Sequence, residues 1–317
     1  MPSFTLRDVQ DQTYKSRDSW WTVWLVDPLA SRLVRFTANR TSITPNQLTL
    51  AALFLGLLAA LCFLRADWYW LLAGAVLFHL SFVLDCMDGK IARLKGTGSV
   101  FGSWLDYVFD RIRVLVCGIA LLGGQFALTG NPIFLWVLLL TVFTDMFRYL
   151  NSPQMAQVRT AMRRQLTQTI REIEERAEGG DTGDVRRMAA RFGVDTTGTE
   201  DSGDKDSGPT REVGNGQRSS WYRRFRDALK GSRIRSHLFS GIEFQMGVFI
   251  VAPLVGMFSV TGMVVTIVAS AAMMLAFELL LIYKLWSSTR EFARVSQEID
   301  KVLRTLDTSG EQGLRAA

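Results

Sequence analysis

The sequence predicts an all-α, polytopic membrane protein with six transmembrane helices and an interfacial helix ahead of the first. Three observations carry this expectation. Apolar blocks fall at about 47–64, 68–84, 114–128, 132–147, 244–260 and 264–285, each near the ~20 residues that cross hydrocarbon as a helix. Lys and Arg alternate from one side of these blocks to the other, as the positive-inside rule requires. A segment rich in Trp and Arg precedes the first block, the composition of a helix lying at headgroup depth. The chain's averages, 48% hydrophobic residues and a net charge of +6 over 317 residues, conceal this segregation.

Residues 1–43 form the N-terminal segment. Ser19 to Pro28 carries Trp20, Trp21 and Trp24 and leads into Leu29 to Phe36 with Arg32 and Arg35, so the rings face the interface and the arginines reach for lipid phosphates. Thr44 is the expected N-cap of the first span and Pro45 its first helical residue. Spans one to four occupy 44–154. Ala52, Gly56 and Ala60 recur at four-residue spacing, a small-residue stripe that lets another helix approach closely. Its first use is packing within the chain, and the same stripe permits a homodimer. Trp68, Tyr69 and Trp70 make the aromatic belt at the outer end of span two.

Residues 155–238 read as a polar insertion. Met155 to Glu178 mixes Arg and Glu at helical spacing and extends span four into the cytoplasm, whereas Gly179 to Ser220 has too few large apolar residues to offset ordering and is expected to be disordered. Trp221 to Arg235 is expected to be a basic amphipathic helix against anionic lipid. Membrane attachment explains its charge and its aromatics together, so no nucleic-acid partner is expected. Spans five and six occupy 239–286. The tail, 287–317, carries Phe292, Val295, Ile299, Val302 and Leu306 at heptad-like spacing and is expected to be a cytoplasmic helix.

Orientation follows from the basic residues. Arg32, Arg35 and Arg40 precede span one, Lys90, Arg93 and Lys95 follow span two, an Arg-rich segment follows span four, and Lys284 and Arg290 follow span six. The opposite loops hold little beyond Arg65 and Asp67. Both termini are therefore expected on the cytoplasmic side of the cell (inner) membrane. The first apolar block begins more than forty residues in and lacks a small-residue cleavage pattern, so no cleavable leader is expected. Cys62, Cys86 and Cys117 lie in or beside spans, where apolar packing rather than a disulfide is their expected role.

Against this apolar background stand Asp85, Asp88, Asp106 and Asp110. An Asp at a helix centre costs roughly 2.5–3.5 kcal/mol on insertion scales, so four unpaired ones could cost about 10 kcal/mol. Something must offset them. Asp85 and Asp88 are three apart and Asp106 and Asp110 four apart, so each pair shares a helix face. The glycine-containing connection Lys95-Gly96-Thr97-Gly98 lets the two helices run antiparallel, with all four carboxylates converging at the cytoplasmic ends of spans two and three. All-oxygen ligands favour hard divalent ions such as Mg2+ or Mn2+, and two would roughly neutralise the pocket. Two such ions can clamp a diphosphate. Gly89 and Gly102 leave bare helix surface where a nucleotide can lie close, and Arg93 suits a phosphate.

The pattern Asp85-x2-Asp88-Gly89-x2-Ala92-Arg93-x8-Gly102-x3-Asp106-x3-Asp110 resembles the signature of the CDP-alcohol phosphotransferases at every defined position. The resemblance runs from about Thr44 to Asp110 and, by span count and the interfacial helix, more loosely over the rest. The long polar insertion after span four departs from compact family members. The resemblance implies cleavage of a CDP-linked phosphoanhydride, CMP leaving and a phospho-alcohol passing to an acceptor hydroxyl. It implies that Asp85, Asp88 and Asp106 bind metal, that Asp110 completes that site and is the general base, and that Gly89, Ala92, Arg93 and Gly102 line the CDP pocket. Pro45-Asn46-x2-Thr49 is similar to the family's entry to span one, which brings Asn46 and Thr49 toward the nucleotide phosphates. A carboxylate near the acceptor is also what a poor alcohol nucleophile needs.

Other readings exist for the same residues. The aspartates have a plain alternative in salt bridges to Lys90, Arg93, Arg111 and Arg113 at a membrane edge. His79 and His237 read as packing or surface residues. Glu243 and Gln245 lie at the mouth of span five, facing either an acceptor cavity or the ordinary interface. A non-enzymatic divalent-cation carrier would also want buried carboxylates, but has no reason to keep Gly89, Ala92, Arg93 and Gly102 beside them. Within the transferase reading, apolar spans around the site favour CDP-diacylglycerol as donor, in phospholipid head-group synthesis. A polar CDP-polyol donor with a lipid or phosphorylated-alcohol acceptor is the alternative, and no motif names the acceptor.

Overall fold

The computed structural model describes residues 4–176, 233–235 and 239–316, and among them the regular structure is helical apart from one isolated parallel bridge between Asp18 and Ile234. The helices are α1 (Leu6–Thr13), α2 (Asp27–Arg40), α3 (Pro45–Leu64), α4 (Trp68–Lys95), α5 (Val100–Thr129), α6 (Ile133–Arg176), α7 (Gly241–Gly256) and α8 (Val260–Ala316). Of the described residues, 4–148, 233–235 and 239–277 belong to one compact unit, and 149–176 and 278–316 to a second.

Local chemistry fixes the elements that carry the aspartates. Thr44 caps α3 through a reciprocal pair of bonds with Gln47, and Pro45 sits at the first helical position, where its missing N–H costs nothing. Helix α4 continues past the apolar block to Lys95 and stops at Gly96, whose φ of 64° is left-handed. Arg93 and Lys95 in its last turn favour the negative end of the helix dipole. Ser99 then caps α5, its hydroxyl accepting from the Gly102 N–H at 3.0 Å. The chain therefore reverses within a few residues, between the two acidic helix segments.

In the first unit α3, α4 and α5 pack closely because small residues face large ones. A Cβ on Gly74 would lie 2.5 Å from the Phe63 ring, and one on Gly124 would lie 2.8 Å from the Leu64 carbonyl. Ala52 and Ala60 are buried and Gly56 lies beneath a side chain of α5, so the small-residue stripe serves packing within the chain. Ser81 donates to the Ala52 carbonyl at 2.6 Å, and Cys117 to that of Gly56 at 3.3 Å. All three cysteines are free.

Among the described residues five helices, α3, α4, α5, α6 and α8, are long and apolar enough to cross a membrane, and α7 is a shorter apolar helix. The apolar block expected as span five overruns it, because Met257 and Phe258 lie in the turn before α8 rather than in a helix. The middle of α7, Gly247–Val251, is a π-helical turn. A Cβ on Gly247 would meet Ser270 Oγ at 2.5 Å, so this turn rests directly on α8.

The N-terminal segment is amphipathic in the expected way. Asp27, Ala30, Ser31, Val34, Thr37 and Ala38 form the buried face of α2, while Arg32, Arg35, Phe36 and Trp24 stay exposed. One expectation needs correction: Arg233, Ile234 and Arg235 at the end of the basic run are not helical. Arg233 has a φ of 61°, and Asp18 exchanges backbone bonds with Arg233 and Arg235 at 2.9 and 3.0 Å, which a continuous helix forbids. The remainder of that run, and the loop expected at Gly179 to Ser220, lie outside the described residues.

In the second unit α6 continues as a polar helix to Arg176, burying Met155, Met162, Leu166, Ile170 and Ile173 along one face. Val295 and Ile299 of α8 are also buried, and Asn151 donates to the fully buried Glu278 at 2.7 Å.

Candidate active site

The reversal at Gly96 to Ser99 brings the end of α4 and the start of α5 around an open cleft, with the start of α3 as its third wall. Asn46 and Thr49 line it from α3, Asp88, Gly89 and Ala92 from α4, and Gly102 and Asp106 from α5. Seven of the ten residues singled out from the sequence thus meet in one cavity. Thr97, Ser99 and Ser103 add hydroxyls to the same lining.

Thr49 Oγ1 donates to Asp88 Oδ2 at 2.5 Å, which fixes one carboxylate of the cleft across two helices. Gly102 is glycine because a Cβ there would lie 2.9 Å from Asn46 Oδ1 and 3.0 Å from Ser99 Oγ. Gly89 has a different reason: a Cβ would meet Arg93 Nη1 at an ordinary 3.6 Å and would instead fill the cleft. Arg93 itself is exposed and outside the lining, its guanidinium beside Gly89 at the cleft's edge.

Asp85 and Asp110 face elsewhere. Arg113, 1% exposed, donates through Nη1 to Asp85 Oδ1 at 3.2 Å and to Ser81 Oγ at 3.1 Å, and through Nη2 to Asp110 Oδ1. Its guanidinium also lies 5.8 Å from the Phe78 ring centroid. Arg111 donates to Asp110 Oδ2 and, with its other terminal nitrogen, to Asp145. The four signature carboxylates remain within electrostatic reach of one another, since Asp88, Asp106 and Asp110 all repel the charge on Asp85. The expected single pocket is therefore two adjoining halves, Asp88 with Asp106 in the cleft and Asp85 with Asp110 around Arg113. The ion-pair partners foreseen for the aspartates are realised for Arg111 and Arg113, and Lys90 pairs with Asp27 instead.

A sequence model of the CDP-alcohol phosphatidyltransferase family matches residues 42–173. These residues are a CDP-alcohol phosphatidyltransferase domain. The domain holds the cleft and all four aspartates. The chain is 36% identical over 88 residues to a phosphatidylinositol phosphate synthase of Corynebacterium glutamicum, 28% of this chain and 37% of that protein. It is 42% identical over 90 residues to an archaetidylinositol phosphate synthase of Pyrococcus horikoshii, 28% of this chain and 46% of that protein. A phosphatidylinositol phosphate synthase of Cutibacterium acnes is 33% identical over 123 residues, 38% of this chain and 53% of that protein. The chain thus spans about half, or less, of each of these relatives.

Whether the domain's residues suit a divalent ion is decided by their donors. Among the described residues, no three His, Cys, Asp or Glu side chains are gathered in ligating geometry, because Arg113 stands between Asp85 and Asp110. Asp106 Oδ1, however, is buried with no hydrogen-bond partner, and Asp88 faces the same cleft. An orphaned carboxylate oxygen beside a second carboxylate is an all-oxygen acceptor set, which suits Mg2+ or Mn2+.

Arg113 and Asp145 are the participants that the sequence reading passed over or valued too low. Asp145 carried a signal, a carboxylate at the end of the apolar block 132–147. Glu243 is taken up in capping α7, accepting from the Ser240 N–H at 3.0 Å, and Gln245 donates to Asp145 at 3.3 Å.

Proposed function

We propose that the protein is an integral-membrane CDP-alcohol phosphotransferase that moves a phosphatidyl group from CDP-diacylglycerol to an acceptor hydroxyl, releasing CMP, in phospholipid head-group synthesis. The observation that carries this reading is the meeting of Asp88 and Asp106 with Asn46, Thr49, Gly89, Ala92 and Gly102 around one cleft. A cation carrier needs the carboxylates but not the bare glycine surfaces. Similarity to phosphatidylinositol phosphate synthases supports a lipid donor.

In this reading the cytidine diphosphate lies along Gly89, Ala92 and Gly102, with Asn46 and Arg93 directed at its phosphates. The acceptor oxygen bonds to the phosphorus that carries the lipid alcohol, the bond from that phosphorus to the bridging oxygen breaks, and CMP leaves with the bonding pair. The hydroxyl proton passes to Asp110, whose oxygens each keep a lone pair beyond the one facing an arginine. Two divalent ions, Mg2+ or Mn2+, would supply charge neutralisation at the diphosphate, held by Asp88 and Asp106 in the cleft with Asp85 and Asp110 adjoining. The site opens at the cytoplasmic face of the inner membrane, where Arg32, Arg35 and Arg40 meet anionic lipid.

The test is CMP release by the purified protein in lipid nanodiscs with Mg2+, offered CDP-diacylglycerol or CDP-polyols against a panel of free and phosphorylated polyols. Release dependent on both CDP-diacylglycerol and one acceptor is the expected result. Release only from a CDP-polyol would overturn the lipid donor, and no release from any donor together with Mn2+ flux in liposomes would overturn the transferase.

A further inference from the structure

Asp145 belongs to no position of the signature and lies outside the cleft, yet it is buried in the part of α6 where a carboxylate is expensive. Its Oδ2 accepts from Arg111 Nη1 and its Oδ1 from Gln245 Nε2 at 3.3 Å. Arg111 Nη2 donates in turn to Asp110 Oδ2, and Asp110 Oδ1 accepts from Arg113, which also holds Asp85. A continuous hydrogen-bonded ladder therefore runs from α7 through α6 and α5 to α4, in the order Gln245, Asp145, Arg111, Asp110, Arg113, Asp85, with charge alternating from Asp145 onward.

We propose that Asp145 is a positioning residue for Asp110, acting through Arg111; the inference rests on the transferase reading of this site. Asp110 and Arg111 are neighbours on one helix, so their side chains leave the axis about 100° apart and Arg111 must curl back to reach Asp110. A guanidinium is a rigid planar fork, and anchoring one prong on a second helix sets the direction of the other. Asp145 provides that anchor, and Gln245 orients Asp145. The ladder has three carboxylates for two guanidiniums, so one negative charge is left over for an acceptor proton or a cation. Spans outside the signature thereby set the aim of the aspartate assigned as base.

The experiment compares wild type, Asp145→Asn, Arg111→Gln and the double variant in nanodiscs, by CMP release and, independently of turnover, by Mn2+ binding followed with EPR. Asp145→Asn is expected to lower kcat and weaken Mn2+ binding about 10-fold or more, with the donor KM within about twofold of wild type. The double variant is expected to be no worse than Arg111→Gln alone, because both changes remove the same restraint. Asp145→Glu should recover part of the loss. Additive losses, or an Asp145→Asn protein with wild-type kcat and Mn2+ affinity and only a lowered melting temperature, would overturn the proposal. Should Asp145→Asn not fold, Gln245→Leu carries the test, with an expected loss in kcat and Mn2+ affinity of about threefold and an unchanged KM; no loss overturns it. If wild type releases no CMP, the transferase reading falls, and the Mn2+ titrations alone decide whether Asp145 and Arg111 act as one unit.

Discussion

The side chain of Arg113 lies across the face of Gly56: a Cβ at Gly56 would stand 2.6 Å from both Cγ and Cδ of that arginine. Because the guanidinium beyond those carbons is tied to Asp85, Asp110 and Ser81, the chain has no room to swing aside. Gly56→Ala should therefore destabilise the protein by about 1–3 kcal/mol and lower CMP release, by displacing the cation shared by two aspartates. Thermal unfolding in detergent alongside a turnover assay checks this. Gly123, with open space around its Cβ position, is the control, and its alanine variant should melt as wild type or slightly higher.

Arg113→Met keeps the length of the stem and removes the charge. It leaves Asp85 and Asp110 partly buried and facing each other without their shared cation, and breaking a buried pair of this kind costs about 3–5 kcal/mol. A fall in melting temperature that added Mg2+ partly restores is the expected outcome. A variant as stable as wild type in the absence of divalent ions would refute the counter-ion role.

Thr49→Val removes a hydroxyl at constant shape and takes from Asp88 its 2.5 Å donor. Loss of a hydrogen bond to a charged acceptor amounts to about 1.5–3 kcal/mol, or about 10- to 100-fold in the affinity or rate that depends on it. Mn2+ titration and the donor KM together show which is affected. Valine at 49 with unchanged values for both would remove Thr49 from the site.

Asp27 is the hub of a second buried cluster. Lys90, the residue after Gly89, pairs with it at 2.8 Å with both side chains about 95% buried, and Arg233 reaches its other oxygen at 3.3 Å while lying 4.0 Å from the Tyr14 ring centroid. Asp27→Ala should cost about 3–5 kcal/mol, and adding Lys90→Met should return much of it, since an apolar pair can replace a buried ion pair nearly without loss. Unfolding of the single and double variants is the measurement.

Periodicity brings the four aspartates to the adjoining ends of α4 and α5, and Gly96 marks the reversal that α4 makes at its left-handed cap. The pairing by spacing, Asp85 with Asp88 and Asp106 with Asp110, gives way to Asp88 with Asp106 and Asp85 with Asp110. The Thr44 cap and Pro45 were equally plain, because capping is local chemistry. Helix rotation is not local. Which way Asp85 and Asp110 turn depends on Arg113 fitting over Gly56, and the partner of Arg111 is a residue 34 positions away on another helix. Hydropathy likewise reports where hydrocarbon is, not where helices end, so α4 runs on past Leu84, while the apolar residues Met257 and Phe258 fall in a turn.

The most direct measurement is CMP release from CDP-diacylglycerol by Asp106→Asn in nanodiscs with Mg2+, set beside its Mn2+ affinity and melting temperature. An amide at this position has nearly the shape of the carboxylate but is a much weaker ligand for a hard cation. The account predicts turnover lower by about 100-fold or more and weakened Mn2+ binding at a wild-type melting temperature. Wild-type turnover in Asp106→Asn would contradict it.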